Sequence, residues 1–286
     1  MIGVWTPPKP GGRPICRVVA VQGRRWQVPG PNKKDEDCGR INLNKLHDRD
    51  ALRHQGRLLT GNTTTAFCNL VSNHFCHLGV GSSEAEFVPD LKTKLDLHGR
   101  THFWAEYLSH LAQLECGSSK LDWKSSKVIN LQVFWGPLEA GHFASLILDR
   151  TRHFDPLAVY ADSLPGYHPG AMAELQQMLG CIEELGTNKM TWIEASVPRQ
   201  GMGTNDCGVF SSCFSFLYLH ALQQGGLLSD APVNPDKSVT GVTLFLPPKM
   251  DATQFGAHGR GFMNQSMKRA KIDWQSPVLR AKVRFT

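Results

Sequence analysis

A chain of 286 residues, 41% of them hydrophobic and 20% charged, has enough apolar mass for one large domain or two small ones, which excludes a solvating, disordered polypeptide. No run of eighteen or more apolar residues occurs, and the opening Met-Ile-Gly-Val-Trp-Thr-Pro-Pro lacks the basic-then-apolar layout of a secretion signal, so neither a membrane span nor export is expected. The formal net charge of +6 is gathered at the two ends, Arg13, Arg17, Arg24, Arg25, Lys33, Lys34 and Arg40 at one and Arg260, Lys268, Arg269, Lys271, Arg280, Lys282 and Arg284 at the other.

Basic ends of this kind can touch nucleic acid or an acidic partner, and they can equally be solvated surface, since no aromatic interleaving accompanies the charge. The cysteines, at positions 16, 38, 68, 76, 116, 181, 207 and 213, form no Cys-x-x-Cys pair. That spacing suits neither a zinc site nor a secreted disulfide framework. Reduced thiols, an intracellular location in nucleus or cytoplasm, no metal and no cofactor are the expectations that follow.

In chain order, residues 1–50 are rich in Pro, Gly and charge and read as an N-terminal extension, with short strand-like runs only at Val18 to Val21 and Trp26 to Val28. From Thr63 the spacing of Ala66, Phe67, Leu70, Val71, Phe75 and Leu78 predicts a helix with one apolar face, capped by Asn62 or Thr63. A second helical pattern runs through Phe103, Tyr107, Leu108, Leu111 and Leu114. Strands are predicted over Val128 to Trp135, His142 to Leu148 and Leu157 to Ala161. An amphipathic helix through Met172, Leu175, Met178, Leu179, Ile182 and Leu185 follows, ended by Gly186. Lys189 to Val197 reads as a fourth strand.

A polar, glycine-bearing loop, Pro198 to Asp206, then runs into the stretch Val209 to Leu222, which is apolar nearly all round and is closed by Gly225 and Gly226. A helix of that kind lies in the middle of a domain. Residues 51–228 are therefore read as the folded domain and 229–286, with Pro232, Pro235, Pro247 and Pro248, as an irregular basic C-terminal tail.

Cys207 falls at the first turn of the buried helix, where unpaired backbone N–H groups and the positive end of the helix dipole favour an anion. The same N–H groups can donate to the oxyanion that forms when a thiolate attacks a carbonyl. Gly208 beside it would let a substrate backbone come close. A thiolate needs an imidazole partner, and His142, opening a strand, can deliver one from a neighbouring element. Asp162, at the end of the next strand, lies across the hairpin and can accept the second ring proton; Asp155 is the other acidic candidate. His74, Cys76 and His77 do not share one helix face, which argues against a metal there. Cys213 inside the apolar helix reads as core.

The order His142-Phe143-x-x-Leu146, Asp162-Ser163-Leu164, Gln200 and Asp206-Cys207-Gly208-Val209-Phe210 resembles the ubiquitin-like-protein protease family, which includes the SUMO-specific proteases, and its relative the adenovirus protease. The resemblance spans about residues 55 to 225. It implies an α+β, papain-like or adenain-like fold, a central mixed β-sheet flanked by helices with the nucleophile at the N-terminus of a buried helix. It implies a triad of Cys207, His142 and Asp162, with the Gln200 side chain completing the oxyanion hole. Phe143 stands where the SUMO-type enzymes usually carry a Trp that clamps a Gly-Gly tail, so Phe143 and Gly208 are the implied substrate contacts. The implied activity is hydrolysis of ubiquitin-like modifier conjugates or precursors. Two other readings keep the same residues: an acetyltransferase on the same fold, and a non-catalytic module that binds a modifier while its basic ends bind nucleic acid.

Overall fold

The computed structural model describes residues 52–53, 57–59, 61–75, 79–82, 126–136, 141–152, 155–180, 185–201, 203–225 and 238–286. The elements are α1 (Gly61–Phe75), β1 (Val80–Ser82), β2 (Val128–Trp135), β3 (His142–Asp149), β4 (Leu157–Ala161), α2 (Ala171–Gly180), β5 (Thr191–Ala195), α3 (Cys207–Gln224), β6 (Val242–Phe245), α4 (Ala252–Arg269) and β7 (Lys282–Phe285). The expected N-terminal extension and the helix through Phe103 to Leu114 lie outside the described residues.

Among the described residues five strands form one sheet in the order β1-β2-β3-β4-β5, with antiparallel pairing in the centre and a parallel pair on either side. The fold is α+β with a central mixed sheet flanked by helices. Strands β2, β3 and β4 are buried along their whole length, which is why they read as near-continuous apolar runs rather than alternating ones.

The pleat sends alternate residues to two cores. Ile129, Leu131, Val133, Leu146, Leu148 and Ala158 pack with Leu175, Met178 and Leu179 of α2. Val128, Ile147, Val159 and Ile193 face the other way and join the larger core with α1, α3 and α4.

Helix α3 is the axis of that larger core, with buried residues on every face. Two of its serines, Ser211 and Ser215, are satisfied internally. Ser211 Oγ donates to Gln132 Oε1 at 2.8 Å, Gln132 Nε2 donates to Ser215 Oγ at 3.3 Å, and Ser215 Oγ donates to Asn130 Oδ1 at 2.9 Å. This polar seam pins α3 to the middle strands in one register, because a shifted helix would leave buried hydroxyls and amides unpaired.

The segment read as an irregular tail is folded. Residues 238–286 form the antiparallel pair β6-β7 and the eighteen-residue helix α4. Asp251 caps α4 by accepting from Gln254 N at 2.7 Å, and Asp251 N donates in return to Gln254 Oε1 at 3.0 Å, a reciprocal cap. The prolines around it are placed where they do no harm, Pro247-Pro248 in the connection before the helix and Pro277 at the start of a short 3-10 helix after it. Composition misled here because the helix is amphipathic with several glycines, which lower helix propensity while permitting close packing. Phe255, Phe262, Met263 and Met267 of α4, with Val278 and Val283, belong to the same core as α3. Strand β6 is tied to the end of β5 by Ser196 N donating to Val242 O at 2.8 Å and Leu244 N to Ser196 O at 2.9 Å.

Helices α3 and α4 touch through glycine. A Cβ placed on Gly259 would lie 2.3 Å from Val209 Cγ1 and 3.1 Å from Cys213 Sγ. Gly259→Ala is therefore expected to destabilise the protein by about 1–3 kcal/mol despite the better helix propensity of alanine, measured as a lower midpoint of urea unfolding.

Candidate active site

The register of the β3-β4 hairpin builds half of the site. Ser145 pairs with Ala161 at the end of the ladder, so the next residue, Asp162, lies beside Ala144 and one diagonal step from His142 on the same face. The two side chains meet: His142 Nε2 is 2.5 Å from Asp162 Oδ1, both groups buried. Asp155, the other acidic candidate, is at the opposite end of β4, where its Oδ1 accepts from Thr191 Oγ1 at 2.6 Å. It serves the β4-β5 junction.

Asp162 is held from three sides. Leu164 N donates to its Oδ1 at 2.7 Å, and the Tyr160 hydroxyl donates to its Oδ2 at 3.3 Å. Trp135 Nε1 in turn donates to the Tyr160 oxygen at 3.0 Å. Burial, aided by the Asp162 charge, pushes the Tyr160 phenol well above its usual range, so it acts as a neutral donor. Sequence reasoning passed over Tyr160 and Trp135; the period-2 spacing of Tyr160 and Asp162 was the available signal.

The imidazole of His142 also shares a side-chain hydrogen bond with Cys207. Burial opposes a charge on the ring and is the largest single influence. The hydrogen bonds to Asp162 and Cys207 and the charges of both together outweigh it, and the pKa rises from the ordinary 6.5 to about 9. His142 is thus a charged imidazolium at neutral pH, matched on one side by a carboxylate and on the other by sulfur. Tyr167, partly exposed, stands tilted against the imidazole with ring centres 4.9 Å apart.

Cys207 is the first residue of α3 and is 3% exposed. It sits in a small apolar cluster with Phe134 and Phe143, whose rings lie 4.8 Å apart. The absence of a side chain on Gly208 is used within the protein itself. A Cβ there would lie 2.9 Å from Thr64 Cγ2, 3.3 Å from Phe143 Cδ2 and 3.4 Å from Leu59 Cβ. Gly208 thus lets α1, β3 and the Arg57 to Leu59 segment close around the start of α3, where an open approach for substrate was expected.

Gln200 is anchored to the loop that follows Asp162. Its backbone N–H donates to Ser163 O at 2.9 Å and its side-chain Oε1 accepts from Ser163 Oγ at 3.0 Å. The carbonyl end of the carboxamide being held, the NH2 end is the one left to donate elsewhere.

The remaining cysteines among the described residues are of another kind. Burial pushes the Cys68 thiol up to about 12 and raises that of Cys213 further; both are core. His74 packs on Phe75 and Trp274, and Cys76 and His77 lie outside the described residues.

By sequence, no protein-family model and no curated protein matches the chain. By structure, it is similar to a de-sumoylating protease at 11% identity and a TM-score of 0.48, covering 79% of this chain and 85% of that one. It is also similar to the SUMO protease Ulp1 with its catalytic cysteine oxidised to a sulfonic acid, at 14% identity and a TM-score of 0.49, over 78% and 84% of the two chains. The Xanthomonas campestris effector XopD bound to ubiquitin is similar at 13% identity and a TM-score of 0.44, over 84% of this chain and 100% of that one. Among the described residues no helix is long and apolar enough to cross a membrane.

Proposed function

We propose that this chain is a cysteine peptidase or isopeptidase of the ubiquitin-like-protein protease type, with Cys207 as nucleophile, His142 as acid and base, Asp162 as the carboxylate that orients and charges it, and Gln200 as an oxyanion donor. The observation that carries the reading is the continuous chain of hydrogen bonds Trp135, Tyr160, Asp162, His142, Cys207, ending at the N-terminus of a buried helix. A packing cluster has no need of a buried imidazolium between a carboxylate and a thiol.

The steps follow from the atoms. The Cys207 sulfur attacks the carbonyl carbon of the scissile amide, and the carbonyl oxygen takes up the electron pair. Backbone N–H groups at the start of α3 and the Gln200 NH2 donate to that oxygen. His142 gives its proton to the leaving nitrogen, the amine departs, and a thioester to Cys207 remains. His142, now neutral, takes a proton from water; the resulting hydroxide attacks the thioester and releases the acid, and the site returns to its starting state. The preferred substrates are ubiquitin-like modifiers cleaved after a small-residue or Gly-Gly end.

The test is a panel of SUMO, NEDD8 and ubiquitin precursors and C-terminal vinyl sulfone probes, read by mass spectrometry. Covalent labelling of Cys207 with release of the processed modifier is the expected result. Turnover of acetyl-coenzyme A without any cleavage would move the reading to acyl transfer, and modifier binding without labelling would move it to a binding module.

A further inference from the structure

Asp206 occupies the N-cap of α3, next to Cys207. An aspartate there ordinarily accepts from the N–H of the second or third helical residue. Asp206 makes no such bond. Its Oδ1 accepts instead from Arg260 Nε of α4 at 2.7 Å, with both side chains buried, at 2% and 1% exposure. Its Oδ2 is buried and has no partner among the described residues.

The direction of the carboxylate is enforced from α4. Arg260 Nη2 also donates to the carbonyls of Arg57 at 2.8 Å and Asn205 at 3.0 Å. One guanidinium therefore ties down the turn before Cys207 and the segment that covers Gly208, and a lysine ammonium has no fork to reproduce this. Asn205 is held at φ 52, in the left-handed region. Gly256, one turn before Arg260, makes room for the pair. A Cβ there would lie 2.4 Å from Asp206 Oδ2 and 2.9 Å from Cγ.

The effect falls on the helix terminus. Val209 N and Phe210 N both donate to the Asp206 carbonyl, each at 2.9 Å. The N–H groups of Cys207 and Gly208 have no acceptor among the described residues. Were the Asp206 carboxylate free to swing inward, it would engage the N–H groups of Gly208 or Val209 and place a negative charge against the sulfur. Both changes oppose a second anion there.

We propose that Arg260 is a positioning residue for the Cys207 site: by holding the Asp206 carboxylate against α4, it keeps the N-terminus of α3 open for the thiolate and the substrate oxyanion. The role rests on the peptidase reading for its use in catalysis, and on the geometry alone for its effect on the cysteine. It also assigns the C-terminal helix a part in the chemistry, through a contact fifty-four residues from Asp206 in sequence.

The test separates the direction of the carboxylate from the mere loss of a buried ion pair, which destabilises any protein. Three variants are compared with wild type: Arg260→Met, Arg260→Met with Asp206→Ala, and Arg260→Met with Asp206→Asn. Alanine cannot cap, whereas asparagine caps as well as aspartate but carries no charge. On the modifier substrate, Arg260→Met is expected to lower kcat by roughly 10²-fold with little change in KM. Adding Asp206→Ala recovers about tenfold or more of that loss, and adding Asp206→Asn does not. Thermal unfolding is expected to show the asparagine double at least as stable as the alanine double, since each removes both charges and asparagine alone caps the helix, so its lower rate is not a loss of stability. If Arg260→Met alone fails to fold, the two doubles make the comparison by themselves.

Iodoacetamide alkylation of Cys207 at pH 7, followed by peptide mass spectrometry, reads the same series with no substrate present. A rate about tenfold lower in Arg260→Met and in the asparagine double, restored in the alanine double, is the expected pattern. Equal rates across the series, or equal recovery in both doubles, would overturn the proposal. The expected alkylation pattern in a protein that cleaves none of the modifiers would instead overturn the peptidase reading and leave the positioning of the sulfur standing.

Discussion

Replacing Cys207 by alanine is expected to lower turnover of the modifier substrate by roughly 10⁴- to 10⁶-fold while leaving modifier binding intact, because the methyl group that remains cannot make the covalent step. Cys68 and Cys213, the other cysteines among the described residues, are buried in the core with their thiols pushed up by desolvation. They remain protonated near neutral pH, and Cys68→Ala or Cys213→Ala should change stability and not kcat. Peptide mapping after brief iodoacetamide treatment gives the same answer in the wild type: modification at Cys207, with Cys68 and Cys213 untouched. Faster modification of either core cysteine, or cleavage that survives in Cys207→Ala, would remove the nucleophile from the proposal. A fall in turnover accompanied by an equal fall in modifier affinity would mean that the alanine had disturbed the cleft and not the chemistry.

How much of this was legible before the structure depends on where the signal lay. Strands β2 and β4 carry the residues expected of them, because each is a buried apolar run closed by a turn signal, Gly136 after β2 and Asp162 with its Pro/Gly loop after β4. The approach of His142 to Asp162 follows from the same information, since a hairpin register relates residues across it by simple counting. The start of α3 was legible from the switch between a polar loop and an all-round apolar stretch. Residues 238–286 were not, because their helix holds Gly256, Gly259 and Gly261 and a charged end, which in a single sequence look like a solvated tail. Gly256 and Gly259 mark a close crossing only once the opposing Asp206 and Val209 are known. Arg260 was counted among the basic residues of a charged end. Only its burial turns it into a partner for Asp206, and burial is a property of the fold that no local pattern encodes.

The pH dependence of the candidate site is the second large expected effect. The folded-state pKa of His142, about 9, lies above the ordinary 6.5. The imidazolium's favourable contribution to stability is therefore complete below about pH 6.5 and is lost as pH rises through 9. The same deprotonation removes the proton that the leaving amine needs, so kcat/KM should fall along an alkaline limb near pH 9. In Asp162→Asn the carboxylate's hydrogen bond and charge, two of the influences that raise the ring, are lost, while burial, which lowers it, stays. The limb is then expected to move toward neutral pH, with kcat at the optimum reduced roughly 10²- to 10⁴-fold. Tyr160→Phe removes the donor to Asp162 Oδ2 and the acceptor of Trp135 Nε1 but leaves the carboxylate on the ring, and should shift the limb far less, with a kcat loss of about tenfold or below. A limb that stays near pH 9 in Asp162→Asn would show that Asp162 does not set the charge on His142. The ordering of the two variants follows from the direction of the hydrogen bonds: Asp162 acts on the ring itself, and Tyr160 acts on the ring through Asp162.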